Sequence, residues 1–400
     1  DSSEYELLPE LPSFFGTGNK KKDKEKYWAT GFTSQQDQLA ISFTEKELEE
    51  KMAKLATAKS SEQLRKSYRL CSTNQWNFDK AVDFAKIEKL WRPHVSMVTY
   101  RPFDRRWTVL HKHILTILRT RVMSQLDSKN NDNIALVSSR AVNDLAFAHC
   151  MIVNERVDRT FLSSKSSTNA YVFPIQNFRK EIIPAIKEHL TIEDQTKVSE
   201  DHSVSQEKCI NYIYAILHSN GYRKRYPEFL KNDFPRIPIT SNYNLYLSLN
   251  KAGQDLVALH LMKNSAINTS SIAYNGTVNQ EIEMVSYSED TIWINKKQNI
   301  GFKSVKNDVW EFTIGGYKVC QKWLKDRRVK GGKNADPGQV LTKIDIEHYK
   351  KIIVTIGETI RIMKEIDESI QKHGGWPLEG SDTFELPPER ESGQMGLEMF

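Results

Sequence analysis

A chain of 400 residues with 39% hydrophobic content can bury a sizeable core, and its length favours two lobes or domains over one. The formal charge of +6 comes from 57 basic and 51 acidic residues, so only local clusters of basic residues would indicate an acidic partner. Because the cysteines lack the C-x-x-C spacing of a zinc site and no apolar run approaches the roughly eighteen residues of a membrane span, we expect a cytoplasmic protein with reduced thiols and no membrane partner.

The first 40 residues are irregular in sequence and are predicted to form an exposed linker or docking arm. Pro9, Pro12, Gly16 and Gly18 interrupt them, and a lysine-rich run follows. The first residue is not methionine and the opening phrase is polar. We therefore expect an excerpt of a longer polypeptide whose catalytic machinery lies elsewhere.

Residues 41–200 are predicted to form a first α+β lobe. Thr44 followed by Glu47 is typical of a capping box, which begins a polar helix. A second helix is expected from Asp79 to Pro93, with its apolar side chains on one face. The strand-like segments that follow alternate with turns and lie at Val95–Tyr100, Asn133–Ser138 and Ala170–Ile175.

Residues 201–375 are predicted to form a second lobe of helices and short strands, because the charged stretch before it contains few large apolar residues. Apolar residues at helical spacing from Ile346 to Ile370 predict a long C-terminal helix that ends at Gly374. Residues 376–400 are expected to form a loose tail. The predicted fold class is α+β and two-lobed, with a mixed sheet, packed helices and a long C-terminal helix.

Short motifs of catalytic and cofactor sites are incomplete in this chain. Residues 14–18 match the F-x-G-x-G loop that binds S-adenosylmethionine, but Pro12 precedes them and lysines follow, which favours a turn. The nearest match to the N-P-P-Y motif of base-flipping methyltransferases is Asp-Phe-Pro-Arg at 233–236, which fails at its second position. His111 and His113 have no further metal ligand nearby in sequence. We therefore expect no catalytic residue, cofactor site or metal site in the chain itself.

Basic residues are concentrated in three groups that are candidates for contact with phosphate. In the first, around residues 100–121, guanidinium groups alternate with aromatic side chains, and an ion pair of Asp104 with a neighbouring arginine is an equally good interpretation. The third, from Lys318 to Lys333, is the strongest, because seven basic residues there meet one acidic residue, Asp326. The phosphate candidates are Arg105, Arg106, Arg223, Lys224, Arg225, Lys318, Lys322, Lys325, Arg327, Arg328, Lys330 and Lys333.

Two polar loops carry the hydroxyl, amide and guanidinium groups that read base edges in a DNA groove. One follows an apolar strand, and the other separates two strand-like segments. A solvent-exposed connection without contact to DNA is the alternative for both loops, and a plain turn is the alternative for a weaker third candidate. The base-reading candidates are Ser138, Ser139 and Arg140 in the first loop, Lys165, Ser166, Ser167, Thr168 and Asn169 in the second, and Asn275 in the third.

Two phrases that mix aromatic and basic residues, 212–226 and 314–328, lie within blocks that resemble a known family. Residues 212–238, which begin Tyr-Ile-Tyr-Ala-Ile-Leu-His-Ser and end Asp-Phe-Pro-Arg-Ile-Pro, are similar to a block of large bacterial restriction-modification proteins. The resemblance is in particular to the C-terminal specificity region of Type ISP enzymes. It covers roughly residues 30–370, and further blocks resemble the family in the same order at Tyr100–Arg106, Ile134–Arg140, Phe147–Asn154, Ala170–Ile175 and Gly315–Lys325.

The resemblance implies that the chain reads a short asymmetric sequence in double-stranded DNA and holds the duplex while a neighbouring methyltransferase methylates an adenine at N6. It also implies upstream methyltransferase, helicase-like ATPase and nuclease parts in the same polypeptide, which would use S-adenosylmethionine, ATP and Mg²⁺. The shared blocks would form a scaffold, because a common motif cannot encode different target sequences. The intervening loops would then determine specificity.

Two other functions stay open from the residues alone. The first is a divergent DNA methyltransferase or nuclease whose active site has an unfamiliar pattern. The second is a protein-docking module, in which the aromatic and basic blocks pack against other domains of the polypeptide.

Overall fold

The computed structural model describes residue 5 and residues 7–70, 75–126, 133–143, 146–165, 168–190, 204–263, 267–331 and 338–388. Among these residues, every helix is too short or too polar to cross a membrane. Short 3-10 helices lie at Leu11–Phe14, Arg92–His94, Ser124–Leu126, Ile175–Asn177 and Ser381–Thr383. The α-helices are α1 (Lys20–Asp23), α2 (Asp37–Ala40), α3 (Glu45–Ala56), α4 (Ser61–Tyr68), α5 (Phe78–Ala85), α6 (Glu88–Trp91), α7 (Thr120–Met123), α8 (Ile182–His189), α9 (Gln206–His218), α10 (Asn220–Arg225), α11 (Pro227–Asn232), α12 (Tyr243–His260), α13 (Asn307–Glu311), α14 (Val319–Arg327) and α15 (Lys343–Lys372).

The strands of the described chain form two four-stranded sheets and two hairpins. They are β1 (Ala29–Thr30), β2 (Val95–Arg101), β3 (Asp104–Val109), β4 (Ala135–Ser138), β5 (Cys150–Val153), β6 (Tyr171–Pro174), β7 (Ala273–Asn275), β8 (Ser286–Ser288), β9 (Thr291–Trp293), β10 (Gly301–Lys303), β11 (Thr313–Ile314) and β12 (Tyr317–Lys318). The first sheet has the order β1-β6-β4-β5 and the second β7-β10-β9-β8, while β2 pairs with β3 and β11 with β12. Neighbouring strands run antiparallel. Together with the packed helices, these small sheets confirm the predicted α+β class.

Side-chain caps begin two of the longer helices, and the sequence predicts the one at Thr44. Thr44 Oγ1 accepts a hydrogen bond from the Glu47 N–H at 3.1 Å, which starts α3. Thr342 and Asp345 form a reciprocal capping box at the start of α15. This helix continues for 30 residues with its apolar face buried, so the predicted long C-terminal helix is confirmed.

The predicted helix from Asp79 to Pro93 is two helices, α5 and α6, so the prediction of one continuous element is wrong. Ile87 has an extended backbone and separates them. The break directs Ile87 and Leu90 outward, where they are 52% and 47% exposed. Phe84 and Trp91 stay buried on the inner side.

The N-terminal segment packs into the core, so the prediction that it is exposed is wrong. Leu11, Phe14 and Phe15 are fully buried. The Phe15 ring lies 5.1 Å from the Phe173 ring and 5.8 Å from the Phe178 ring. The regular elements there are short, at four residues or fewer each, but burial of the apolar side chains still stabilises the segment.

Three apolar clusters form the core of the described residues. Two of them combine residues from both sides of position 200. The division into a first lobe at 41–200 and a second at 201–375 stays a prediction. Leu378 and Phe384 are buried, which the expectation of a loose tail did not anticipate. Residues 389–400 lie outside the described residues.

Candidate nucleic-acid interface

Two of the predicted loops leave the first sheet at the same end. Ser138, the last residue of β4, pairs with Cys150 at the start of β5 and with Tyr171 at the start of β6. Because these strands are antiparallel, the segment 139–149 follows β4 at the end of the sheet where the segment 160–170 enters β6. We call these two segments the paired loops.

Direct hydrogen bonds join the paired loops. The Ser139 hydroxyl donates to the Asn169 carbonyl at 2.9 Å. The Asn143 N–H donates to Thr168 Oγ1 at 3.4 Å, and the Lys165 ammonium donates to the Asn143 carbonyl. The structure therefore brings the two predicted base-reading segments into one surface.

Several of the predicted hydroxyl groups support this surface from below. Ser138 and Ser139 are 0% exposed and Thr168 is 1% exposed. Their side chains hold the loops together or face the interior, so they do not present a hydroxyl group to solvent. Ser166 and Ser167 lie outside the described residues.

Charged side chains project from the paired loops. The Arg140 side chain is 52% exposed, and its Nε donates to Asp233 Oδ1 at 2.9 Å. Lys165 is exposed, whereas Asn169 is half-buried and its Oδ1 accepts a hydrogen bond from Arg159 Nε at 2.6 Å. Arg140 and Lys165 are thus the predicted base-reading residues of these loops with exposed cationic groups.

The hairpin of β11 and β12 packs directly on the paired loops. The Gly315 N–H donates to the Ala148 carbonyl at 2.7 Å, and the Gly316 N–H donates to the Leu162 carbonyl at 2.8 Å. Gly315 has a φ of +59°, and an added Cβ would lie 1.8 Å from the Leu162 carbonyl oxygen. This turn therefore needs glycine, and it places the start of α14 next to the paired loops.

The predicted third basic group runs from the end of β12 through α14 and beyond it, and its members differ in their surroundings. Lys325 is exposed and forms no ion pair with a described residue. Lys318 is paired with Glu311, and Lys322 Nζ is 2.6 Å from Asp326 Oδ2. Arg328 and Lys330 are half-buried, and Lys333 lies outside the described residues.

Asp104 joins α14 to β3 through two buried arginines. Its carboxylate lies 2.6 Å from Arg106 Nη2 and 2.8 Å from Arg327 Nη2. The Arg106 guanidinium also covers the Phe43 ring, and that of Arg327 covers the Trp323 ring, both at 3.5 Å. Burial opposes ionisation of Asp104, but the two guanidinium groups outweigh it and hold the pKa of this carboxyl well below its ordinary value.

Arg106 and Arg327 are therefore structural residues and are not accessible to a phosphate. Their side chains are 6% and 7% exposed. For Arg106, the structure contains the ion pair with Asp104 that the alternative interpretation of the sequence predicted. The sequence could not indicate Arg327, because its partner is 223 residues away.

The phosphate candidates Arg223, Lys224 and Arg225 lie on α10, beside the same end of the first sheet. Arg223 is half-buried, and its guanidinium donates to the Leu217 carbonyl at 2.7 Å and to Cys150 Sγ at 3.7 Å. Burial raises the pKa of the Cys150 thiol, so this cysteine is a neutral neighbour at pH 7. Lys224 is exposed without an ion pair to a described residue, and Arg225 is exposed with its Nε on the Tyr226 hydroxyl at 3.2 Å.

The side chains of Arg105 and Asn275 form their hydrogen bonds with residues outside the paired loops. The Arg105 guanidinium donates through both Nε and Nη2 to the Glu155 carboxylate. The Asn275 side chain donates to the Asn299 carbonyl at 2.7 Å, on β7 of the second sheet. Both side chains are engaged within the protein.

His111 is part of an aromatic stack. Its ring lies 4.1 Å from the Phe84 ring and 4.7 Å from the His113 ring. Burial, and then the neighbouring cationic forms of His113 and His94, lower the pKa of His111 to about 4. Within the described ranges, no three His, Cys, Asp or Glu side chains are grouped as metal ligands.

Asp367 on α15 is a supporting residue that sequence reasoning missed. Its carboxylate accepts hydrogen bonds from the Ser219 hydroxyl at 2.6 Å and from the Asn220 and Gly221 N–H groups at 3.1 Å. It thereby satisfies the free N–H groups that begin α10 and fixes the helix that carries Arg223. No local pattern could identify it, because it is 148 residues from Ser219.

Comparison with protein families identifies one that matches most of the chain. A family model described as the Type ISP C-terminal specificity domain matches residues 26–365. Among curated proteins, none matches the chain.

Solved structures share the fold. A nuclease-deletion mutant of the Type ISP restriction-modification enzyme LlaGI, in complex with a DNA substrate mimic, is 18% identical with a TM-score of 0.58; the match covers 92% of this chain and 29% of that one. The ATP-dependent Type ISP restriction-modification enzyme LlaBIII bound to DNA is 18% identical with a TM-score of 0.62, over 91% and 24%. The DrdV–DNA complex is 14% identical with a TM-score of 0.62, over 85% and 35%. The chain thus spans about a quarter to a third of the length of these proteins.

Proposed function

The chain belongs to the family of Type ISP C-terminal specificity domains, and we propose that it recognises a specific sequence in double-stranded DNA through its paired loops. The family resemblance of its sequence blocks is confirmed by the matched range, 26–365. The structures that share its fold include enzymes bound to DNA, and this supports DNA as the partner.

One observation carries the proposal. Two loops that lie on either side of β5 in the chain are joined by the hydrogen bond from Ser139 to Asn169, and they project the cationic groups of Arg140 and Lys165 from a rigid sheet. Sequence-specific DNA binding needs a few polar groups at fixed positions on a rigid support. The paired loops provide this arrangement.

The aromatic phrases serve as the support for these loops. Tyr212, Tyr214, Tyr222 and Tyr226 are at most 2% exposed, and Trp323 is 1% exposed. Side chains buried to this extent are not available to stack on bases or to dock another domain. This supports a division in which the buried aromatic residues of the shared blocks form the scaffold, while exposed side chains at the paired loops, including Arg140, read the DNA.

Contacts with the DNA backbone are proposed for the exposed cations around the paired loops. Lys224 and Lys325 are the strongest, because neither forms an ion pair with a described residue. Lys318 and Arg225 are exposed as well. Such contacts position the protein on the duplex and carry the salt dependence of binding, while base contacts carry the specificity.

In the complete enzyme, the bound duplex would be presented to other domains of the same polypeptide. We infer that a methyltransferase domain with S-adenosylmethionine methylates an adenine at N6, and that helicase-like ATPase and nuclease domains with ATP and Mg²⁺ cut unmodified DNA. This chain would supply the recognition step and no catalytic residue.

Selection of duplexes from a random library, followed by fluorescence anisotropy, tests the proposal. The 400-residue chain should enrich one short asymmetric sequence. Its affinity should fall steeply between roughly 50 and 200 mM salt, because phosphate contacts release counterions. Lys86→Ala is the control for alanine variants of the proposed phosphate contacts, because Lys86 is an exposed lysine next to α5 that lies outside the proposed contact set. It should leave DNA affinity unchanged.

Two results would contradict the proposal. A DNA affinity that does not change with salt concentration would contradict the proposed electrostatic contacts with phosphate. Binding of S-adenosylmethionine by the chain, detected by calorimetry, or metal-dependent cleavage of DNA by the chain would instead support a divergent enzyme.

A further inference from the structure

We propose that Asp233 is a positioning residue for Arg140, and that it orients the guanidinium group of Arg140 to read a guanine in the major groove. The inference rests on the proposed DNA recognition and assigns a base and a groove to one side chain. Asp233 lies in the Asp-Phe-Pro-Arg segment, which the sequence singles out only as an incomplete methyltransferase motif.

The backbone that carries Arg140 is fixed on both sides. Before it, the Ser139 hydroxyl is bonded to the Asn169 carbonyl at 2.9 Å. After it, the Val142 N–H donates to the Lys231 carbonyl at 2.9 Å, and the Val142 side chain is 3% exposed. Arg140 therefore projects from an anchored turn, which fixes where its side chain starts, and the bond from its Nε to Asp233 Oδ1 restrains the guanidinium group at the other end.

The Asp233 carboxylate is itself held in place. Its Oδ1 accepts the Phe234 N–H at 2.9 Å and Arg140 Nε at 2.9 Å, and its Oδ2 lies 3.4 Å from Lys20 Nζ. Burial opposes its ionisation, but the Phe234 N–H, Lys20 and Arg140 outweigh burial and lower the pKa of the carboxyl. Asp233 is thus a fixed anion at neutral pH.

The bond through Nε leaves the reading edge of Arg140 free. Its terminal Nη1 and Nη2 groups make no hydrogen bond with the described residues. Two parallel N–H donors match the O6 and N7 acceptors of guanine in the major groove. Arg105 offers a contrast, because Glu155 accepts from both its Nε and its Nη2 and so occupies the donor edge.

A positioning role explains why the Asp233 carboxylate lies at the proposed DNA-binding surface, where a carboxylate without such a role would only repel phosphate. An ion pair at an exposed site adds little stability by itself. An oriented guanidinium, by contrast, has lost its conformational freedom before DNA binds, so less entropy is lost in forming two hydrogen bonds to one base.

The test measures base preference at each position of the selected duplex for the wild-type chain, Arg140→Ala, Asp233→Ala, Asp233→Asn and the double alanine variant. Arg140→Ala should lose roughly five- to 150-fold of discrimination for guanine at one base pair, the range of a bidentate contact. Asp233→Ala should lose discrimination at the same base pair, and the double variant should be no worse than Arg140→Ala. Asp233→Asn keeps an acceptor oxygen and should restore part of the preference.

Glu358→Gln is the matched control, because Arg361 is 53% exposed and donates through Nε to Glu358 at 2.8 Å on α15. It should leave every base preference unchanged. Equal weakening of all sequences by Asp233→Ala and Asp233→Asn, or loss of preference at a base pair other than that of Arg140, would overturn the inference while leaving DNA recognition intact. A wild-type chain without any sequence preference would instead contradict the proposed function itself.

Discussion

Replacement of Asp104 by asparagine should destabilise the protein far more than a typical surface substitution. The Asp104 carboxylate is 1% exposed and lies within 2.8 Å of two guanidinium groups, those of Arg106 and Arg327. Asparagine keeps the shape but removes the charge, so two buried cations lose their counterion. Removing one partner of a buried ion pair costs about 3 to 5 kcal/mol, which is roughly a 100- to 5,000-fold change in the folding equilibrium.

Urea denaturation followed by circular dichroism measures this loss. Asp326→Asn is the control, because Asp326 forms an i,i+4 ion pair with Lys322 on α14 at a partly exposed site. Loss of this ion pair should cost less than about 1 kcal/mol of stability. The pKa of Asp104 is lowered in the folded state. Its ionised carboxylate therefore contributes fully to the free energy of unfolding above the ordinary pKa of 3.8, and this contribution is lost only as the pH falls below 3.8. The difference between wild type and Asp104→Asn should therefore be constant from about pH 5 to 8.

A loss no larger than that of the control would refute this reasoning. It would mean that both guanidinium groups reach solvent without cost. Arg106 and Arg327 would then return to the set of candidate phosphate contacts, as the sequence alone suggested.

Three further predictions concern binding, acid stability and the β11–β12 turn. Lys325→Ala should reduce the slope of log affinity against log salt by about 0.9, and an unchanged slope would remove Lys325 from the phosphate contacts. Burial lowers the pKa of His260 from 6.5 to about 3. Below pH 6.5 the unfolded chain therefore binds a proton that the folded chain does not, and the free energy of unfolding should fall by up to about 1.4 kcal/mol for each unit by which the pH is lowered. His260→Asn should flatten that part of the profile, and an identical profile would contradict the assignment. Gly315→Ala should destabilise by more than about 1 kcal/mol because of its positive φ and the clash with the Leu162 carbonyl. Gly357→Ala should be neutral or stabilising in the same denaturation experiment, because the added Cβ on α15 would lie at an ordinary contact distance of 3.8 Å from the Val309 side chain.

Local patterns in the sequence predicted the elements that depend on near neighbours. The apolar spacing of the C-terminal helix and the capping pair at Thr44 both correspond to helices in the structure. The strand predicted at 170–175 corresponds to β6. Such patterns succeed because helix and strand periodicity repeat within a few residues.

Long-range packing decided which predicted site residues face solvent. Arg327 and Lys325 are two positions apart and equally basic, yet Arg327 is buried on Asp104 while Lys325 is exposed. Phe14 and Phe15 of the N-terminal segment are buried although prolines and glycines surround them. Composition cannot distinguish these cases, because burial depends on partners that are far away in sequence.

The sequence by itself determined the fold class, the family through ordered blocks, and the polar loops as candidates for DNA reading. Only the tertiary structure decided that the two loops meet through Ser139 and Asn169, that Arg140 lies on Asp233, and that α10 is held by Asp367. The physical reason is that a local pattern specifies the conformation of a segment, whereas a binding surface arises from contacts between segments. Those contacts form only when the whole core packs.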